Sequence, residues 1–324
     1  MYIFSKKFVK DSITILKDAG SGFMKDKGLK LSASLSYYTV FSMAPLLLLV
    51  ISLVGFFFGD EAIEGRVFAE INGLIGDSAA SQVQETITNM KLSGETNLSL
   101  IIGIITLIIT ATTVFNEIQD SINMIWRLKV KPKRGWLKLL KDRLQSGSVI
   151  IGLGFLLIVT LIVNGVLLAM GDALKDYFPQ ITIALMDVIN IALNFLVITV
   201  LFGVIFKVLP DAKIAWKDVR AGALFTACLF MLGRYLINLY IQTTGAGSPY
   251  GAAGSIIVIL LWVYFTAAIL YFGAEFTRAY ANFIGAKVRP SQYAVYVEQR
   301  EIEKHVDCLP KRCDEEKNNV TIDD

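Results

Sequence analysis

Six ionisable side chains stand inside otherwise apolar stretches of this 324-residue chain: Glu117, Asp120, Asp187, Arg234, Glu275 and Arg278. Within hydrocarbon such groups are costly, so each is a candidate for ion pairing, proton movement or ligand docking. Arg234 is the deepest, near the middle of its apolar run and roughly 14 Å from one end by helical rise. A long side chain does not easily snorkel to water from there. A guanidinium at that depth offers a fork of donors that matches two oxygens of a carboxylate or phosphate at once. The preceding run carries Asp187, Asn190 and Asn194 at i, i+3 and i+7, on one helical face, at depths of roughly 9, 14 and 20 Å. Asn238 stands one turn from Arg234, level with Asp187. These spacings predict that the two faces meet, that Asp187 compensates Arg234, and that Asn164 joins from a third run. The cluster reads either as an interhelical polar clamp, worth ~1 kcal/mol per hydrogen bond in a bilayer, or as a docking point for an anion.

Two other groups lie nearer the ends of their runs. Asn116, Glu117, Asp120 and Asn123 recur at i,i+3 or i,i+4 and form one polar stripe on an otherwise apolar helix. The stripe is either a structural ion-pair seam or part of a proton, ion or head-group path. Glu275 and Arg278 are spaced to pair at i,i+3, which would anchor a helix end. Pro45 removes a backbone hydrogen bond inside the first apolar run. It marks either a simple kink or a break bordering a cavity, with Tyr38 and Ser42 beside it.

The elements that hold these residues are membrane spans. Leu31–Gly59 contains no charge over 29 residues, whereas about 20 suffice for a helix to cross a bilayer. Its first half is small and weakly polar and suits helix packing; its second half is bulky and suits lipid. Five more apolar runs follow, and the spans are expected near 31–59, 98–126, 146–170, 181–206, 221–243 and 254–283. The fold expected is an all-α integral membrane protein of six helices, with a basic segment 1–30 before it and a charged, partly disordered tail 284–324 after it. Between Asp60 and Asn97 the apolar residues recur at helical spacing, which predicts short amphipathic helices in the first outer loop.

Composition agrees, with 54% hydrophobic residues, 18% charged residues and a mean hydropathy of +0.57. Lys and Arg favour cytoplasmic loops. The segments 1–30, 127–145, 207–220 and 284–324 hold 26 of them, against 3 in the alternating segments. Both termini are therefore expected in the cytoplasm. No cleavable leader is expected, because the first apolar run begins after thirty Lys-rich residues and is too long for a signal h-region.

The loop Arg127–Arg143 holds eight bases and one acid, with Trp126 just before it and Trp136 within it. Beside a span this composition sets topology and attracts anionic lipid, so membrane lipids are the partners expected and nucleic acid is not. His305, Cys308 and Cys313 offer three zinc-type donors without a fourth, so no metal site and no cofactor is expected. No P-loop, dinucleotide glycine pattern or nucleophile motif occurs, and the chain reads as a non-enzyme. A homo-oligomer stays open.

The first span also contains Tyr38-Thr39-Val40-Phe41-Ser42-Met43-Ala44-Pro45-Leu46-Leu47, which resembles the hallmark of the YihY/BrkB family of bacterial inner-membrane proteins. Further similarities fall in order: Asn123-Met124-Ile125-Trp126, Leu209-Pro210, Gly222-Ala223, Tyr250-Gly251 leading to Leu261-Trp262-Val263-Tyr264, and Gly273-Ala274-Glu275. Trp262 and Glu275 thereby join the candidate positions. The resemblance runs from about residue 20 to 285 and implies a six-helix membrane protein described as a transporter or virulence-associated factor. Some members carried the label ribonuclease BN. The resemblance carries over no catalytic residues. The function expected is transport or export of an amphipathic, anionic envelope lipid or small solute through a polar interior cleft. A non-transporting scaffold for envelope assembly is the alternative, and a membrane-tethered ribonuclease the remote one.

Overall fold

The computed structural model describes residues 6–42, 81, 112–130, 179–245, 254–286, 288–291 and 294–298. Helix α1 (Lys6–Lys25) turns at once into α2 (28–42); α3 (112–125), α4 (Pro179–Val208), α5 (Trp216–Thr244) and α6 (Gly254–Phe283) follow in chain order. Within α4 to α6, Val188–Val208, Trp216–Thr244 and Ile256–Phe283 are long and apolar enough to cross a bilayer, with mean hydropathies of 2.5, 1.6 and 2.4. They coincide with the last three expected spans. Helix α2 starts three residues ahead of the first expected span and runs into it, and α3 falls within the second; the remainder of both lies outside the described residues. So do the span near 146–170 and the amphipathic helices expected between Asp60 and Asn97.

Helix α5 begins at Trp216, ahead of the expected 221. Its first turn contains Lys217, Asp218 and Arg220, too polar to register as membrane span. Asp218 sits there, where the positive end of the helix dipole favours an acid. At the other end Gly245 adopts φ 56°, ψ 39°, and its N–H donates to the Ile241 carbonyl at 3.1 Å. A left-handed residue costs glycine nothing, so the outer turn starts there.

Helices α5 and α6 are joined by a reciprocal seat. Gly222 and Thr226 lie one turn apart on α5, Gly273 and Thr277 one turn apart on α6. A methyl on Gly222 would run into Thr277, and one on Gly273 into Thr226. Each threonine hydroxyl donates at 2.7 Å back to the glycine carbonyl four residues before it, Thr226 to Gly222 and Thr277 to Gly273. Polar atoms are thus satisfied inside each helix while small residues let the backbones approach. Phe225 and Phe276 stack at 3.8 Å beside the seat. Helix α4 docks on another face of α5, where a methyl on Gly203 would stand 3.7 Å from the Ala223 Cβ, and Phe202 meets Phe230 edge-on at 5.8 Å.

The main buried apolar cluster gathers at one end of the bundle, around Ile122, Ile125, Trp126, Phe206, Ile214, Val219 and Tyr271. Apolar surface gains little by leaving lipid, but it gains about 25 cal/mol per Å² by leaving water. A core at the loop end is therefore what a membrane protein needs. Two short antiparallel ladders close that end, an addition to the all-α expectation: β1 (Leu128–Val130) pairs with β4 (Ala294–Tyr296), and β2 (Ala212–Lys213) with β3 (Arg289–Pro290). The segment after 284 thus carries two strands; residues 299–324 are outside the described residues. The basic N-terminal segment, for its part, contains a helix seated on α6 through Ile15 and Ala19 against Ala279, Phe272 and Phe276.

Candidate functional site

At the loop end α1, α3 and α6 meet in a network of four charges. Arg127 follows α3 in a left-handed conformation (φ 58°) that turns the chain into β1. Its guanidinium donates to the Asp26 carboxylate at 2.7 Å, and Asp26 closes the turn between α1 and α2. On α6, Arg278 pairs with Glu275 at 2.7 Å, the i,i+3 pair expected from spacing. A second Arg278 nitrogen donates to the Ile125 carbonyl at 2.9 Å, and Arg127 to that of Met124 at 3.4 Å. Arg278 therefore covers a carbonyl at the end of α3, where the helix dipole is negative, and the Arg127 side chain adds to the bond that its own N–H makes to Met124 at 3.0 Å. Gly22 makes this possible: a methyl there would stand 2.5 Å from a Glu275 oxygen and 2.7 Å from Arg278. Asp26 and Arg127 lie near enough to act on the Glu275 charge. The result is an alternating set of two acids and two bases, with Glu275 1% and Arg278 17% exposed.

The stripe on α3 divides. Asn123 is buried and holds Asp211 twice: its amide donates to the Asp211 carboxylate at 3.0 Å, and its carbonyl accepts the Asp211 N–H at 2.8 Å. Gln119 adds a donor to the same carboxylate at 3.5 Å, and the Asp211 carbonyl accepts from Ser291 N–H at 2.8 Å. Asp211 thus ties α3 to the α4–α5 loop and to the chain beyond α6. Glu117 is half-buried near Tyr271 and Ser121, whereas Asn116 and Asp120 face outward. Asp120, Asn123, Arg127 and Lys129 line an open cleft of about 510 Å³ floored by Leu128 and Val297. This puts one acid and two bases around a space large enough for a lipid head group or a small solute. Sequence reasoning missed Asp26, Arg127 and Asp211 as partners, because each sits in a turn rather than a span. The available signals were Asp26 just before the uncharged run and Asp211 directly after Leu209-Pro210.

Further polar side chains lie at mid-span on α5 and on α6. The register of the two helices follows from Gly222 against Thr277, Thr226 against Gly273 and Gly233 against Ile269. It sets Arg234 and Asn238 level with Thr266 and Trp262. Asn238 Oδ1, Trp262 Nε1 and Thr266 Oγ1 are all inaccessible to solvent and have no hydrogen-bond partner among the described residues. The Trp262 ring itself packs against Ile237, Ile241 and Val258. Asn190 and Asn194 are half-buried on α4. By helical phase they stand on the side of α4 away from Gly203, the residue that touches α5. Arg234, in contrast, is nearly in phase with Ala223 along α5, on the side that meets α4. The side chain of Asp187 is outside the described residues, and so is its expected pairing with Arg234.

Helix α2 lies in the small-residue half of the first expected span and has two faces; the bulky half lies outside the described residues. Ser32, Ser36 and Ser42 are buried and donate to carbonyls of Gly28, Ala33 and Thr39, while Tyr37, Tyr38 and Phe41 are exposed in a row of ring contacts. Pro45, Asn164 and the tail residues His305, Cys308 and Cys313 lie outside the described residues. Among the described residues no group of three or more His, Cys, Asp or Glu is placed to hold a metal ion.

A family model described as virulence factor BrkB matches residues 19–295. A UPF0761 membrane protein of Pseudomonas paraeruginosa is 27% identical over 276 residues, 83% of this chain and 63% of the relative. Another from Mannheimia succiniciproducens is 24% identical over 79% of this chain and 85% of its own length. The Bacillus subtilis protein named ribonuclease-like protein YfkH is 24% identical over 81% of this chain and 94% of its own. The chain spans under two thirds of the Pseudomonas relatives' length. No solved structure matches it.

Proposed function

Because this chain belongs to the virulence factor BrkB family of bacterial membrane proteins, we propose that it transports an anionic, amphipathic lipid or a small anionic solute through a polar interior between its helices. The observation that carries this reading is the mid-span group. Three buried polar atoms of Asn238, Trp262 and Thr266 go without a partner among the described residues at the level of Arg234. Buried polar atoms in bilayer-spanning helices are normally satisfied by protein, water or a bound molecule, and the partner proposed for these is the substrate. Arg234, one turn from Asn238 on the side of α5 that meets α4, carries the positive charge that an anion would meet at this depth. The cleft of about 510 Å³ beside Asp120, Arg127 and Lys129 is the corresponding vestibule. The location proposed is the inner membrane, with both termini in the cytoplasm and no catalysis.

The test is flux of a phosphate-bearing amphiphile into proteoliposomes. Arg234→Ala should abolish flux while leaving the melting temperature within a few degrees of wild type, and Arg234→Lys should restore little, since an ammonium lacks the bidentate fork. Full flux with Lys would overturn bidentate docking, and full flux with Ala would remove Arg234 from the path. A scaffold reading is favoured by a different observation: the loop end is bolted together through Asp26–Arg127, Arg278–Ile125 and Asn123–Asp211. Absence of flux from a folded wild-type protein across anionic lipids and solutes would support it. Ribonuclease activity that survives rigorous purification of the wild type would overturn the non-enzymatic part of the proposal.

A further inference from the structure

Helix α1 has two apolar faces, and among the described residues protein covers one. Ile15, Ala19 and Phe23 turn to α6, with Phe23 edge-on to Phe272 at 5.8 Å. Ile13, Leu16 and Met24 are 49%, 41% and 69% exposed. By helical phase these three share one narrow stripe, which also contains Gly20. Lys10 and Lys17 border the stripe on the side away from α6, and Lys25, Lys27 and Lys30 continue the basic character, all five exposed. Asp18 is the exposed acid of the same helix and lies on another side of it.

The chain path fixes where the stripe must be. Helix α1 is connected through Asp26 and Lys27 to α2, and the charge-free run begins at Leu31. Lys27 adopts φ 54°, which makes the turn tight. The chain is therefore placed to enter the bilayer within about two helical turns of the end of α1. Contacts with Phe272, Phe276, Ala279 and Tyr280 hold α1 against the last third of α6, next to the same boundary. A helix held there with an apolar stripe and a basic rim has the form of an interfacial helix, apolar side chains among the acyl chains and ammonium groups at the phosphates.

We propose that α1 is an anionic-lipid-binding helix that lies in the membrane surface, with Ile13, Leu16 and Met24 inserted and Lys10 and Lys17 on lipid phosphates. Because Gly22 and Asp26 of the same helix-turn unit touch Glu275, Arg278 and Arg127, seating α1 on lipid also holds the buried charge network together. The proposal rests on the membrane location alone and stands whether or not the protein transports.

The experiment uses the full chain, one copy per nanodisc, with Cys228, Cys308 and Cys313 replaced by serine. An environment-sensitive fluorophore is attached in turn at Ile13→Cys, Met24→Cys and Asp18→Cys, in discs of phosphatidylcholine alone or of phosphatidylcholine mixed with phosphatidylglycerol. Labels at 13 and 24 should shift to the blue and be quenched by acyl-chain quenchers, while the label at 18 stays in water. Lys10→Gln and Lys17→Gln should each lower association with spin-labelled phosphatidylglycerol about fivefold, and raised salt should do the same. Water exposure of all three labels in both lipids would overturn the proposal. So would protection at 13 and 24 that occurs only with two copies per disc, which would make the occupant of the stripe a second chain.

Discussion

Arg278 shows how one side chain can serve an ion pair and a helix end at once. It neutralises Glu275, which is 1% exposed, and it donates to the carbonyl of Ile125. Removing one partner of a buried pair strands the other charge, whereas removing both with apolar replacements often restores stability. Arg278→Ala should therefore destabilise the protein by about 3–5 kcal/mol. Glu275→Leu with Arg278→Met should lose less than half of that, the residue of the loss being the cap on α3. Thermal melting in detergent reads both. The pair itself was legible from the i,i+3 spacing inside an apolar run, and the Ile125 contact was not, because a guanidinium-to-carbonyl bond between residues 153 apart leaves no local pattern. The double variant also divides anchoring from transport: a folded protein that has lost flux would show that Glu275 does more than hold a helix.

At the scale of elements, what the sequence predicted well was hydrophobic length, and what it predicted poorly was helix phase. The spans at 181–206, 221–243 and 254–283 emerge within a few residues of α4, α5 and α6, since a nearly charge-free run of that length has one stable form in lipid. Which faces meet depends on small residues whose significance appears only in pairs. Gly222 and Gly273 are two glycines among 25, yet each is the seat for a threonine of the opposite helix. The seat predicts that Gly222→Ala alone costs about 1–3 kcal/mol by overpacking. Adding Thr277→Gly should recover part of it, giving a coupling of about 0.5–3 kcal/mol in a double-mutant cycle, as expected for residues in contact. Strict additivity would mean that α5 and α6 do not seat against each other this way. Helix α1 was hidden for the opposite reason: its lysines set the composition of residues 1–30, and the apolar face through Ile15 and Ala19 becomes visible only against α6.

For the whole molecule, the distribution of charge and the order of helices make separate statements about orientation, and one measurement joins them. Helix α5 leaves the loop end at Trp216 and reaches Thr244. Its rise of roughly 43 Å exceeds a hydrocarbon core of roughly 30 Å. Helix α6 returns to the end where β1 meets β4. Thr244 and Tyr296, both exposed, are then expected on opposite sides of the membrane, whatever the side. The uneven partition of Lys and Arg between alternate segments adds which side, because basic loops are retained in the cytoplasm. In a background without the three native cysteines, Tyr296→Cys should react with an impermeant maleimide only after the cells are opened, and Thr244→Cys in intact spheroplasts. Reaction of both from one side would break the crossing assigned to α5 or α6. The reverse order would keep the helices and overturn the orientation, moving the charge network and its cleft to the outer face. In the expected order the basic end, the cleft beside Arg127 and the lysine-rimmed stripe of α1 all face the cytoplasmic leaflet. An anionic amphiphile would then meet α1, the cleft and Arg234 in sequence as it leaves that leaflet.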